Sequence, residues 1–193
     1  MNKIKIKISF FGGLMIAALI LTHSYLSLAA LLAAAIHECG HILAARVCNI
    51  PLYEMKLGIF GASLSASSGL CSYKKEMILA AAGPFFNFLT TALLYPIIKN
   101  TGLGELFLVA SLFLGILNLL PVADLDGGRI LYCFICQKGS PKVASAVCSV
   151  LSFLCVLCLW LLSVYLLLRR SSSLSLFIFS ISLFAKIFIK QKN

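Results

Sequence analysis

His37, Glu38 and His41 have the residue types and spacing that metal-assisted hydrolysis needs. Residues four apart on a helix project from one face, so the two imidazoles can bind a single metal ion. In the pattern H-E-x-x-H the carboxylate beside the first histidine does not ligate; it takes a proton from water activated at the metal. On a soluble helix this pattern arises by chance, and a lone histidine is more often a packing residue than a ligand. The setting decides the weight here. The chain has three histidines and six acidic residues, and three of these lie within five positions of the apolar run from Ser27 to Val47. A charged group at bilayer depth costs ~2.5–3.5 kcal/mol on insertion scales, so a cluster of ionisable residues there points to function.

A catalytic zinc site commonly takes three protein ligands and keeps a fourth position for water. The best source of a third ligand is the segment from Asn118 to Arg129, which carries Asp124 and Asp126 around Pro121 and the Gly127-Gly128 pair. Pro121 should break the preceding helix and the glycines permit a tight turn, leaving both aspartates on irregular backbone at the end of an apolar run. Either aspartate can serve as ligand, and the other is then a solvated loop charge or a helix cap. In Ala82-Gly83-Pro84-Phe85-Phe86-Asn87, Gly83 allows close backbone approach and Asn87 sets an amide inside the membrane. Cys133/Cys136 and Cys155/Cys158 have C-x-x-C spacing. They read as small apolar residues of helical runs and not as a redox or zinc pair.

Composition sets the elements that must hold these residues. Of the 193 residues, 61% are hydrophobic and 11% charged, with a mean hydropathy of +1.05, which belongs to a polytopic membrane protein. The net charge of +10 comes from Lys and Arg placed between apolar runs, so it reads as topology and not as a nucleic-acid surface. The fold class is an all-α membrane protein of about six transmembrane helices. Apolar runs occupy 8–21, 25–47, 75–98, 105–120, 143–168 and 174–189, with a short helix near 128–136. Residues 52–72 are Gly- and Ser-rich and partly alternating, which predicts a β-hairpin or re-entrant segment after the second helix. Lys3, Lys5 and Lys7 lead into the first run as a basic start. With the N-terminus cytoplasmic, 13 of the 16 basic residues fall inside and Lys99, Arg169 and Arg170 outside, so both termini are expected in the cytoplasm. His41 precedes Arg46 by five residues, about 7.5 Å of helix, which sets the chemistry below the cytoplasmic surface and away from the midplane.

Together these residues resemble the site-2 protease family of intramembrane zinc metalloproteases, peptidase M50. The resemblance is carried by His-Glu-Cys-Gly-His at 37–41, Gly-Pro-x-x-Asn at 83–87 and Asn118-x-x-Pro121 leading to Leu125-Asp126-Gly127. It implies His37, His41 and Asp126 as ligands of one Zn2+ per chain and Glu38 as catalytic base. It favours Asp126 over Asp124, and it implies that Asn87, Asn118 and Pro121 position substrate or site elements. The compact helix layout looks like the stage IV sporulation protein FB branch, which implies cleavage of a membrane-associated sigma-factor precursor and restraint by membrane partner proteins. On this reading residues 1–193 form one membrane-embedded protease domain. Its catalytic core is about 25–130, its accessory helices are 1–24 and 143–193, and it carries no PDZ or cystathionine-β-synthase-like domain. The expected partners are a protein substrate with a membrane-associated or transmembrane segment, regulatory membrane proteins and the bilayer of a bacterial cell, with no nucleic acid. The rival readings are a catalytically silent membrane scaffold, against which Glu38 argues, and a metal transporter. A transporter needs polar residues along a path through the bilayer, and the last two runs supply almost none.

Overall fold

A computed structural model describes residues 24–50 and 72–170, the strands at 5–8, 52–58 and 61–66, and residue 181, with backbone alone for the strands and Arg170. The expected first span beyond Ile8, His23, and the last apolar run apart from Ile181 lie outside the described residues. The chain forms two units, Met1–Leu119 and Leu120–Asn193.

In the first unit, α1 (Tyr25–Val47), α2 (Tyr73–Ile98) and α3 (Gly102–Asn118) each pack on the other two. Both ends of α1 are written locally. The Ser24 hydroxyl accepts the Ser27 amide at 3.1 Å as an N-cap. At the other end Asn49 takes a left-handed φ of 51°. Its amide donates to the Arg46 carbonyl and that of Ile50 to the Ala45 carbonyl, a Schellman closure with asparagine where glycine is commoner. Lys75 Nζ donates to the Cys48 carbonyl at 3.0 Å and so ties the start of α2 to the end of α1.

The buried face of α1 repeats every fourth residue through Ala29, Ala33, His37, His41 and Ala45. That of α2 repeats through Leu79, Gly83, Asn87 and Thr91, and α3 turns Gly104, Phe107, Leu108, Ser111 and Gly115 inward. Small residues at these spacings let helix backbones approach closely, which is how helices associate where lipid gives no hydrophobic drive. Ala29, Ala33, Phe107 and Leu108 form a buried apolar cluster, while Leu26, Leu32, Phe85, Leu93, Val109 and Phe113 face outward.

Pro84 and Pro96 lie within α2 without ending it. Among the described residues three helices, Tyr25–Val47, Tyr73–Ile98 and Pro141–Arg169, are long and apolar enough to cross a membrane, and α3 is a shorter apolar helix. The strands of this unit form a sheet of order β1-β2-β3. β2 (Leu52–Gly58) and β3 (Gly61–Ala66) pair antiparallel, with an irregularity between Leu52 and Glu54. β1 (Lys5–Ile8), within the stretch read as a basic start, pairs parallel to β2 with Lys5 opposite Glu54. Its Lys/Ile alternation has the two-residue period of a strand.

The second unit pairs α4 (Asp126–Lys138) with α5 (Pro141–Arg170). Here α5 buries Ala144, Cys148, Ser152 and Val156, again at every fourth residue. One expectation is corrected: Asp126 is not on irregular backbone but opens α4, after Leu125 in extended conformation at φ −104° and ψ 163°. Gly127 and Gly128 continue the helix and do not form the turn. A Cβ on Gly128 would collide with the carbonyl of Val122, so the glycine serves close approach.

Candidate metal centre

The two histidines of α1 are 5% exposed each, and their side chains converge. Nδ1 of His41 lies 2.8 Å from the carbonyl oxygen of Leu79 on α2. A carbonyl only accepts, so Nδ1 carries the proton and Nε2 is left with its lone pair. That lone pair faces His37, whose Nε2 is 3.2 Å away, with the rings 85° apart. Nitrogens sharing one tetrahedral zinc at the usual bond length sit about 3.4 Å apart, so the spacing fits a shared metal. An imidazole that donates its other N–H to a backbone carbonyl is also the usual arrangement of a metal-bound histidine.

The floor of this site is backbone. A Cβ added to Gly83 would stand 2.5 Å from His41 Nε2 and 2.7 Å from His37 Nε2. On the facing helix a Cβ at Gly40 would stand 2.6 Å from the Ala82 carbonyl oxygen. Gly40 and Gly83 thus set the separation of the two helices at the level of the histidines. Within His-Glu-Cys-Gly-His, Gly40 and both histidines point inward, Cys39 is exposed and Glu38 is half-buried, with its Oε2 withdrawn from solvent.

One turn beyond Gly83, Asn87 is fully buried. Its carbonyl accepts the hydroxyls of Thr91 at 2.8 Å and Ser111 at 3.2 Å. Neither atom of its carboxamide has a hydrogen-bond partner among the described residues. Asn118, half-buried at the end of α3, turns its Nδ2 back to the Leu114 carbonyl at 3.1 Å. Of the residues singled out in sequence, His37 and His41 are brought together, Asn87 shares the buried face of Gly83, and Asn118 is engaged with its own helix. Pro121 and Asp126 belong to the second unit. There Asp124 is exposed on the turn, and Asp126 is half-buried in the first turn of α4.

The Leu79 carbonyl is a functional group that sequence reading missed. A backbone acceptor has no residue signature; the only hint is that Leu79 lies four residues before Gly83, on the same helix face.

Comparison with known proteins adds to this geometry. The sequence model of Peptidase family M50 matches residues 102–159, which includes α3, the Asp126 segment and the first part of α5 but not the two histidines. The fold is similar to that of a solved structure, the Site-2 Protease from Methanocaldococcus jannaschii, with a TM-score of 0.72 and 20% sequence identity. That likeness covers 97% of this chain and 90% of the other. No curated protein matches the chain significantly.

Proposed function

We propose that this chain is a zinc-dependent intramembrane endopeptidase of the site-2 type, hydrolysing a peptide bond of a membrane-associated or transmembrane protein near the cytoplasmic face. The observation that carries the reading is the His37–His41 pair, with Nε2 atoms 3.2 Å apart and His41 fixed by the Leu79 carbonyl. The partial M50 match, the shared fold and the apolar helices support it. The donor set we assign is His37 and His41 with, on the sequence resemblance, Asp126. Bound zinc supplies a Lewis acid and a water that loses its proton near neutral pH. Glu38, beside the first ligand, accepts that proton and returns it to the leaving amine. Leu79 holds His41 in the tautomer that keeps Nε2 available. A helical substrate must unwind before its carbonyl is accessible, and β3, at the edge of the described sheet, gives an extended segment backbone groups to pair with. Asn87, whose buried carboxamide has no hydrogen-bond partner among the described residues, positions the substrate chain or a site element.

The six-span arrangement with both termini in the cytoplasm rests on the distribution of basic residues. Restraint by partner membrane proteins and release of a sigma-factor precursor rest on the sequence resemblance alone. The deciding experiment co-expresses the chain with a tagged membrane-tethered substrate and compares wild type with Glu38→Gln, assaying bound zinc in both. Cleavage by wild type only, with zinc in both, is the expected result. Equal cleavage by the variant refutes the role of Glu38, and wild-type protein without zinc refutes the metalloprotease reading.

A further inference from the structure

We propose that Ser152 is a positioning residue that clamps the turn delivering Asp126; the inference rests on the reading of Asp126 as a metal ligand. In sequence Ser152 is one small residue of a long apolar span, yet it is 1% exposed and bonds across 29 residues of chain. Its Oγ accepts the Ala123 amide at 2.9 Å. Its proton has the Cys148 carbonyl at 2.6 Å, with the Pro121 carbonyl at 3.3 Å as an alternative. A hydroxyl both accepts and donates, so one side chain joins the turn to α5.

The rest of the turn explains why that bond matters. The Val122 amide donates to the Leu120 carbonyl at 2.7 Å and the Leu125 amide to the Val122 carbonyl at 2.8 Å, so the turn closes on itself at both ends. The Ala123 amide is the one directed to α5. Val122 at 1% and Leu125 at 6% exposure anchor the turn from inside, and the Val122 carbonyl rests against Gly128. Leu125 gives α4 no side-chain cap, so the turn itself sets where the helix starts and where Asp126 stands.

Ser163 offers a comparison on the same helix: it is fully buried, and its hydroxyl donates to the Trp160 carbonyl three residues back at 2.7 Å. It stands eleven residues from Ser152, about 16 Å along the helix. Ala123 is exposed, so removing the Ser152 hydroxyl frees a surface turn and leaves the buried face of α5 in place. The turn loosens, and the effect falls on the ligand it carries more than on the stability of the fold.

The test measures zinc affinity of the full chain in detergent by chelator competition for wild type, Ser152→Ala, Ser152→Thr, Ser163→Ala and Asp126→Ala. Hydrogen exchange of residues 119–127 is followed in the same proteins without zinc. Ser152→Ala is expected to weaken zinc binding about tenfold, the lower end of what outer partners of a metal site contribute, and to speed exchange in the turn. Ser152→Thr keeps the Oγ and, like Ser163→Ala, leaves both readings near wild type. If Ser152→Ala binds zinc as wild type does while Asp126→Ala loses it, or if Ala and Thr at 152 weaken binding equally, the proposal is overturned. If Asp126→Ala itself leaves zinc binding unchanged, it is the assignment of Asp126 as ligand that fails.

Discussion

Gly83→Ala separates the metal site from the fold. The added Cβ would lie 2.5 Å from His41 Nε2 and 2.7 Å from His37 Nε2, whereas ordinary contact begins at 3.4 Å. The rings must therefore retreat by about 0.7–0.9 Å, while ligand distances in a metal site hold to about ±0.2 Å. His41 cannot swing away without lengthening its 2.8 Å bond to the Leu79 carbonyl. A misplacement approaching 1 Å costs about a hundredfold in a geometry-dependent site, or ~2.7 kcal/mol of zinc affinity. The fold suffers less. The atoms struck are the tips of two side chains, overpacking costs about 1–3 kcal/mol, and replacing a helical glycine by alanine returns up to ~1 kcal/mol. Chelator competition gives the zinc affinity and thermal melting of the zinc-free protein gives the stability. The expected variant melts close to wild type and binds zinc about a hundredfold more weakly. If its zinc affinity stays within about threefold of wild type, a change worth under ~1 kcal/mol, the two Nε2 atoms above Gly83 are not the metal-binding atoms.

Three other outcomes follow from the same structure. On the proposed assignment of Glu38 as base, Glu38→Gln should retain zinc and should lower cleavage of a tethered substrate by about 10²–10⁴-fold, the usual range for loss of a general base. Zinc at a hundredfold excess over its Kd should stabilise the wild type by about 2.7 kcal/mol in thermal melting, and His37→Ala should remove that gain; equal stabilisation of both proteins would place zinc elsewhere. Thr101→Ala removes the N-cap of α3, whose Oγ1 accepts the Gly104 amide at 3.2 Å, and should lower stability by about 1 kcal/mol while leaving zinc affinity unchanged.

Much of the site was legible because its side chains are costly where they stand. Two imidazoles and a carboxylate in an apolar run stand out whatever the packing, and α1 occupies the Tyr25–Val47 stretch that hydropathy marks. Gly83 was legible as a point of close approach, though not what approaches it. What stayed hidden is made of backbone and of small residues. The acceptor that sets the tautomer of His41 is a main-chain carbonyl, and Ser152 reads as one more small residue of a span. The start of α4 was misjudged because Leu125 is a cap without a capping side chain and the Gly127-Gly128 pair reads as a turn. In the structure both glycines are helical, and the close approach of Gly128 to the Val122 carbonyl gives the reason for a glycine there. The parallel pairing of β1 with β2 is a long-range contact between residues 5–8 and 54–57, and no local pattern specifies such a partner.

The every-fourth-residue seam of α1 links these observations. Ala29, Ala33, His37, His41 and Ala45 share the face that packs inward, so the two histidines stand in the row whose small neighbours allow α2 to come close. Close approach is what brings the Leu79 carbonyl within 2.8 Å of His41. A carbonyl has two lone pairs, so it can accept an imidazole N–H in addition to its own helical bond. Orienting a ligand with such a group adds no further buried polar side chain, each of which would carry its own desolvation penalty in a membrane. In the second unit the same economy appears at Ser152, where the smallest hydroxyl side chain steers a turn through its backbone amide. Small residues therefore serve both the helix packing and the orientation of the site, which is why substitutions as slight as Gly83→Ala and Ser152→Ala are expected to act on zinc before they act on folding.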